Sequence, residues 1–155
     1  MSKQKKRSSH DDAFGELLFD FKYDDGSVSY KASTAFLVVD PVEFTFYAKS
    51  ESEDDLRHVL GIGHELLRDS AVVGESISSY MDGAVLRSLE AIDTVRLRKF
   101  DKVTLEKSWK LVGVDVYFDG DVRAFFDPDQ ILQIDHGLQI YMDSKGHVRD
   151  HEFIS

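Results

Sequence analysis

The chain has 155 residues, 42% of them hydrophobic, with eleven Phe, six Tyr and one Trp, so it is long and apolar enough to build one core. It holds no cysteine and carries a formal net charge of -10. This excludes disulfides, thiolate metal sites and cysteine nucleophiles, and it disfavours direct binding of a phosphate backbone.

The chain opens on MSKQKKRSSHDD, which carries charge but has no apolar segment behind it. It does not read as a secretory signal. Residues 1–12 are expected to form a disordered basic tail, and 13–155 a single domain. The tail holds four Lys/Arg and two Asp; subtracting these from 19 Lys/Arg and 29 Asp/Glu leaves 15 and 27, a net -12 on the body. Such a body repels nucleic acid and favours a basic protein partner. No apolar run approaches the roughly 18 residues of a membrane span. A cytoplasmic protein is expected, since absence of cysteine fits a reducing compartment.

Residues 14–33, FGELLFDFKYDDGSVSYKAS, alternate as a strand pair. A two-residue turn at Asp25-Gly26 would set Tyr23 opposite Val28, Phe21 opposite Tyr30 and Asp20 opposite Lys31. Residues 35–39 are an unbroken apolar run, as expected of a strand covered on both faces. Asp40-Pro41 should interrupt the ladder, because Pro has no N–H to donate. Val42, Phe44 and Phe46 then alternate with Glu43 and Thr45 in a further strand.

The period changes at Ser52. Ser52 suits an N-cap, and Glu53, Asp54 and Asp55 fill a first turn where the helix dipole favours anions. Leu56, Val59, Leu60, Gly63, Leu66 and Leu67 form one helical stripe. A second helix is expected over about residues 76–95, with Ile77, Tyr80, Met81, Ala84, Val85, Ser88 and Ile92 on its apolar or small face.

After Lys99 the strand pattern returns. A three-residue loop, Phe118-Asp119-Gly120, sets Val116 against Val122, Val114 against Ala124 and Val112 against Phe126. A two-residue turn would set Val116 against Arg123, so apolar pairing selects the longer loop. The same logic at Ser144-Lys145-Gly146 aligns Met142 with Val148, and Asp127-Pro128-Asp129 marks a turn between the hairpins. The order of strands, two helices, strands predicts an α+β domain: an antiparallel sheet of six or seven strands against two central helices.

Few residues carry a chemical signature. GIGHELL, at 61–67, begins G-x-G but lacks the third glycine and the strand-turn-helix setting of a dinucleotide site. Close packing of helix on sheet accounts for its glycines. Asp115, Asp119, Asp121, Asp127 and Asp129 do not follow a calcium-loop spacing. His136, His147 and His151 would have to converge on one face to hold zinc or to act as acid and base. The register expected here puts His136 and His151 on opposite faces. No cofactor, metal site or catalytic residue is therefore assigned.

The stretch DVYFDGDVRAFFDPDQILQIDHGLQIYMDSKGHVRDHEFI resembles the tails of small acidic bacterial domains of unknown function, and FGELLFD is similar to their opening strand. The resemblance covers about a third of the chain. Such domains occur among candidate immunity proteins of polymorphic toxin systems. The resemblance implies a non-enzymatic protein that neutralises a toxin, and it carries over no functional residue.

The reading that follows is a cytoplasmic protein-binding domain that covers a basic partner, such as a toxin, through an acidic surface. Asp119, Asp121, Asp127, Asp129, Glu51, Glu53, Asp54 and Asp55 are the residues expected to face that partner. A small metal-dependent hydrolase built on the C-terminal histidines is one alternative. A structural or adaptor subunit that forms a homo-oligomer through an exposed strand edge is another.

Overall fold

A computed structural model describes residues 8–88, 109–128 and 137–154. Eight strands form one sheet in sequential order: β1 (Ser8–Asp11), β2 (Gly15–Lys22), β3 (Val28–Phe36), β4 (Val39–Ala48), β5 (Trp109–Tyr117), β6 (Val122–Pro128), β7 (Gly137–Met142) and β8 (Val148–Ile154). All neighbours are antiparallel except β4 and β5, which run parallel. Parallel neighbours need a long crossover, and the helices α1 (Glu53–Arg68) and α2 (Ser70–Tyr80) lie in it. The fold is thus α+β as expected, with more strands than six or seven and a mixed sheet. The parallel pair was hidden because each half of the chain reads as a simple meander. Ser8–Asp11, expected in the tail, form the edge strand β1.

Alternation decides which side of the sheet is covered. Val42, Phe44 and Phe46 of β4, Val114 and Val116 of β5, Val122 and Ala124 of β6, and Leu138, Ile140 and Met142 of β7 are all buried. They share one face with the buried side of α1, Val59, Ile62, Gly63 and Leu66. Gly63 allows the close approach. A Cβ there would stand 2.8 Å from the Phe46 ring and 2.9 Å from that of Phe14. The neighbouring Gly61 is exposed and meets nothing, so only one of the two glycines has the packing role expected.

Helix α1 begins as its sequence dictates. The Ser52 hydroxyl accepts from the Asp55 N–H, and three acids fill the first turn. Helix α2 starts earlier than residue 76 and passes into a π-turn at Met81–Val85. Val73, Ile77, Met81 and Val85 are its buried positions. The far end expected for it, including Ile92, lies outside the described residues.

Three expectations about register fail, each at a bulge or turn. In β2, Phe19 pairs with Tyr30 and Phe21 with Ser29, with a shift at Asp20. The turn takes three residues, Asp24-Asp25-Gly26, with Gly26 at φ 89° and its N–H donating to the Tyr23 carbonyl. The extra residue flips Phe21 and Tyr23 away from the helices. Similarly, Leu111 rather than Val112 faces Phe126, after a shift within β5. The apolar run 35–39 is not one strand. A tight turn at Leu37 and Val38, both at positive φ, divides it between β3 and β4. Neither residue is a usual turn former, so the pattern gave no warning. Asp40 and Pro41 drop out of the ladder as expected, although β4 continues through them. The loops at Gly120 and Gly146 take the expected form, with φ of 93° and 81°.

Candidate functional site

Register places several turns together. Val28 pairs with Ala48, Tyr47 with Tyr117, and Val122 with Met142. The β2–β3 turn, the β4–α1 junction and the β5–β6 turn therefore lie at one end of the sheet. The His58 ring on α1 is 2.8 Å from the Phe118 carbonyl, which fixes the helix start beside the β5–β6 turn. Glu51, Glu53, Asp54 and Asp55 thus stand with Asp119 and Asp121 on a common acidic rim.

Six of the eight expected partner-facing residues meet there. Asp127 does not. It sits six residues further along β6, about 20 Å away at strand rise, and pairs with Lys110 in the register. Asp129 lies outside the described residues. The sequence reading omitted Asp24 and Asp25, which the same register brings to the rim. They sit in a turn whose position beside Ala48 depends on the β3–β4 pairing.

The helix-free face beside the rim was also missed. There Tyr47 and Tyr117 stack with centroids 4.5 Å apart and planes within 5°. Arg123 continues the row, its guanidinium 4.7 Å from the centre of the Tyr117 ring and 5.2 Å from that of Tyr141. These steps match the spacing of adjacent strands, so the row runs across β4 to β7. Tyr141 ends it by donating its hydroxyl to Glu152 (2.9 Å). At the other end Tyr23 approaches Tyr47 (6.2 Å) and Phe21 (4.7 Å). Alternation could have shown Tyr47, Tyr117 and Tyr141 on one face. It could not have shown that a parallel pairing brings the first two into contact.

Asp115 sits within this face, in register with Thr45 and Arg123. Burial pushes its carboxyl up to about 6; Arg123 and Lys31 pull it down and Glu43 adds to the rise. Arg123 gives its Nε–H to Asp121 (3.0 Å). Burial also raises the Tyr47 and Tyr117 hydroxyls, so both stay neutral donors at physiological pH.

Of the C-terminal histidines, the two described ones, His147 and His151, engage separate partners. His147 lies by Asp143 (3.3 Å) in the β7–β8 turn. His136 lies outside the described residues. His151 pairs with Ile140, beyond a one-residue shift in β8. Its ring is held by Tyr80 Oη at Nδ1 (2.7 Å) and Ser88 Oγ at Nε2 (3.0 Å). In an α-helix residues eight apart diverge by about 80°; the wider π-turn between them brings Tyr80 and Ser88 onto one side. Ser88 donates its proton to the Ala84 carbonyl (3.0 Å). It must then accept from His151 Nε2–H, which leaves Nδ1 to accept from Tyr80. That polarity makes His151 a clasp between α2 and β8, with its one free lone pair, on Nδ1, taken by the Tyr80 hydroxyl. Among the described residues no group of three His, Asp or Glu side chains is placed to hold a metal.

An apolar cleft of about 680 Å³ lies at the opposite end from the rim, between α2 and the Leu37–Val39 turn, with Trp109 and Phe126 in its wall. The β8 edge exposes Arg149, Asp150 and Glu152. Charges along an edge resist pairing with a second strand. Among the described residues no helix is long and apolar enough to cross a membrane. Comparison with protein-family profiles, curated proteins and solved structures finds no match to this chain.

Proposed function

We propose that this chain is a non-enzymatic protein-binding domain that covers a basic partner, in the manner of an immunity protein occluding a toxin. The observation that carries the reading is the gathering of Glu51, Glu53, Asp54, Asp55, Asp119 and Asp121 at one end of the sheet, beside a row of tyrosines and one arginine. Charge of one sign steers an oppositely charged partner and raises the association rate. Tyrosine and arginine are the residue types that most often anchor an interface. The lack of cysteine fits action in the cytoplasm.

The test is capture of the binding partner from the native host, followed by association rates at several salt concentrations. Reversing the charge at Glu53, Asp54, Asp119 and Asp121 should slow association by about tenfold or more at low salt and flatten its salt dependence. Asp127→Lys, at the far end of the sheet, should change the rate little. Equal rates and equal salt dependence in all three proteins would defeat the reading.

A further inference from the structure

We propose that the Phe21–Tyr23 pair receives an arginine side chain of the protein partner, with its guanidinium over a ring and its charge against the rim carboxylates. This rests on the basic-partner reading and specifies its anchor.

The two residues are the outward aromatics of β2 and its turn. Phe21 is 55% exposed and Tyr23 38%. Their rings meet at 65° with centroids 4.7 Å apart. An edge-on contact of this kind leaves ring face open to a third group. The bulge at Asp20 puts them on this side, since uninterrupted alternation would have kept Phe21 with the inward Phe19.

The charge around the pair suits a cation. Asp24 and Asp25 are exposed in the adjoining turn. Hydrogen bonds from Ser27 hold the Asp25 carboxyl below its usual range, so it is ionised at any physiological pH. Glu51 lies at the same edge, 3.2 Å from Lys22. A phosphate or an acidic segment would be repelled here.

The same face shows how such a group is held. Arg123 lies over Tyr117 and Tyr141 while its Nε–H bonds Asp121. Among the described residues both cation–ring contacts belong to Arg123, and neither involves Phe21 or Tyr23. The rim repeats the ingredients, rings beside carboxylates; Lys22 and Arg57 pair with carboxylates there, but among the described residues no cation lies over the Phe21 or Tyr23 ring. Arginine fits better than lysine. Its guanidinium is planar, weakly hydrated, able to stack on a ring and able to grip a carboxylate with two N–H groups.

The experiment titrates the full chain at low salt with two acetylated, amidated peptides of equal length and charge, one of alternating Gly and Arg, one of alternating Gly and Lys. Affinity is read by calorimetry, and the contact by the Tyr23 ring resonances. The Arg peptide should bind about two- to fivefold more tightly. Phe21→Leu with Tyr23→Leu keeps apolar bulk but removes both rings, and should bring the Arg peptide to the level of the Lys peptide. Tyr23→Phe keeps the ring and should keep the preference. Glu53→Gln with Asp54→Asn should weaken both peptides alike. Thermal melts confirm that each variant folds. Equal binding of the two peptides to the wild-type chain, or a preference that survives loss of both rings, overturns the arginine anchor while leaving a basic partner in place. If neither peptide binds, the basic-partner reading falls with it.

Discussion

The two faces of the sheet are made by the same strands and obey different chemistry. Beneath α1, Phe44, Phe46, Val114, Val116, Ala124 and Ile140 are fully buried. One residue along each strand, the other face holds Thr45, Tyr47, Asp115, Tyr117, Arg123 and Tyr141. The covered face is stabilised by removal of apolar surface from water, which is roughly proportional to area and needs no direction. The open face is held by stacking, cation–ring contact and hydrogen bonds, each of which needs a particular partner. The first can secure a fold. The second keeps polar and aromatic groups at the surface in a fixed arrangement, as recognition requires. Substitution on each face should therefore differ in size, and in one case in sign.

The largest effect belongs to the covered face. Phe46 is fully buried and packs against Phe14 and Phe44, with centroids 4.8 and 6.0 Å away. Phe46→Ala should cost about 3–5 kcal/mol in denaturant unfolding. A loss below about 1 kcal/mol would mean that this face is not the core. Next is Gly63→Ala. The added methyl would meet the Phe46 and Phe14 rings at under 3 Å, so α1 must lift or two packed rings must move. Overpacking of this kind costs about 1–3 kcal/mol. That exceeds the gain of up to about 1 kcal/mol that Ala brings over Gly in a helix. A variant more stable than the parent would show that the helix sits less closely on the sheet than described.

The covered face was also the legible one. Burial imposes strict alternation, so Val42, Phe44 and Phe46, and Val114 against Ala124, follow from spacing alone. The start of α1 was equally clear, because Ser52 and three acids satisfy its free N–H groups and dipole. Bulges were not legible. Asp20 and Arg149 each add a residue without any compositional mark, and each reverses what lies beyond it. The turn at Leu37–Val38 uses apolar residues where Gly or Asn is usual, so it looked like strand. The acidic rim was half legible. Charge identified its members one by one, but only the parallel pairing of β4 with β5 puts the β4–α1 junction next to the β5–β6 turn. Asp127 is excluded by the β5–β6 hairpin itself, which carries it to the end away from Asp119 and Asp121. The tyrosine row, like the rim, originates in the parallel pairing: Tyr47 and Tyr117 are 70 residues apart and meet through a crossover that no local pattern announces.

Asp115 gives the smallest prediction and the one that reverses sign. On the covered face, removing a native group destabilises. On the open face, Asp115 is a carboxylate whose burial raises its pKa to about 6 from 3.8, despite Arg123 and Lys31 nearby. A group raised in this way favours folding in its protonated form. That contribution is fully present below the unfolded value near 4 and is lost as pH climbs through about 6. At pH 7–8 the folded chain therefore carries a charge it holds less well than water would. Asp115→Asn keeps the shape and removes the charge. It should raise stability at pH 8 by about 1 kcal/mol, after discounting for the solvent that still screens the site. It should also remove the part of the parent's stability gain that appears between pH 7 and pH 5. Unfolding midpoints of the two proteins would then converge near pH 4–5 and separate as pH rises, with the Asn variant above. Curves that run parallel, or an Asn variant less stable at pH 8, would mean that Arg123 and Lys31 outweigh the burial of Asp115, and that the open face, like the covered one, is arranged for stability.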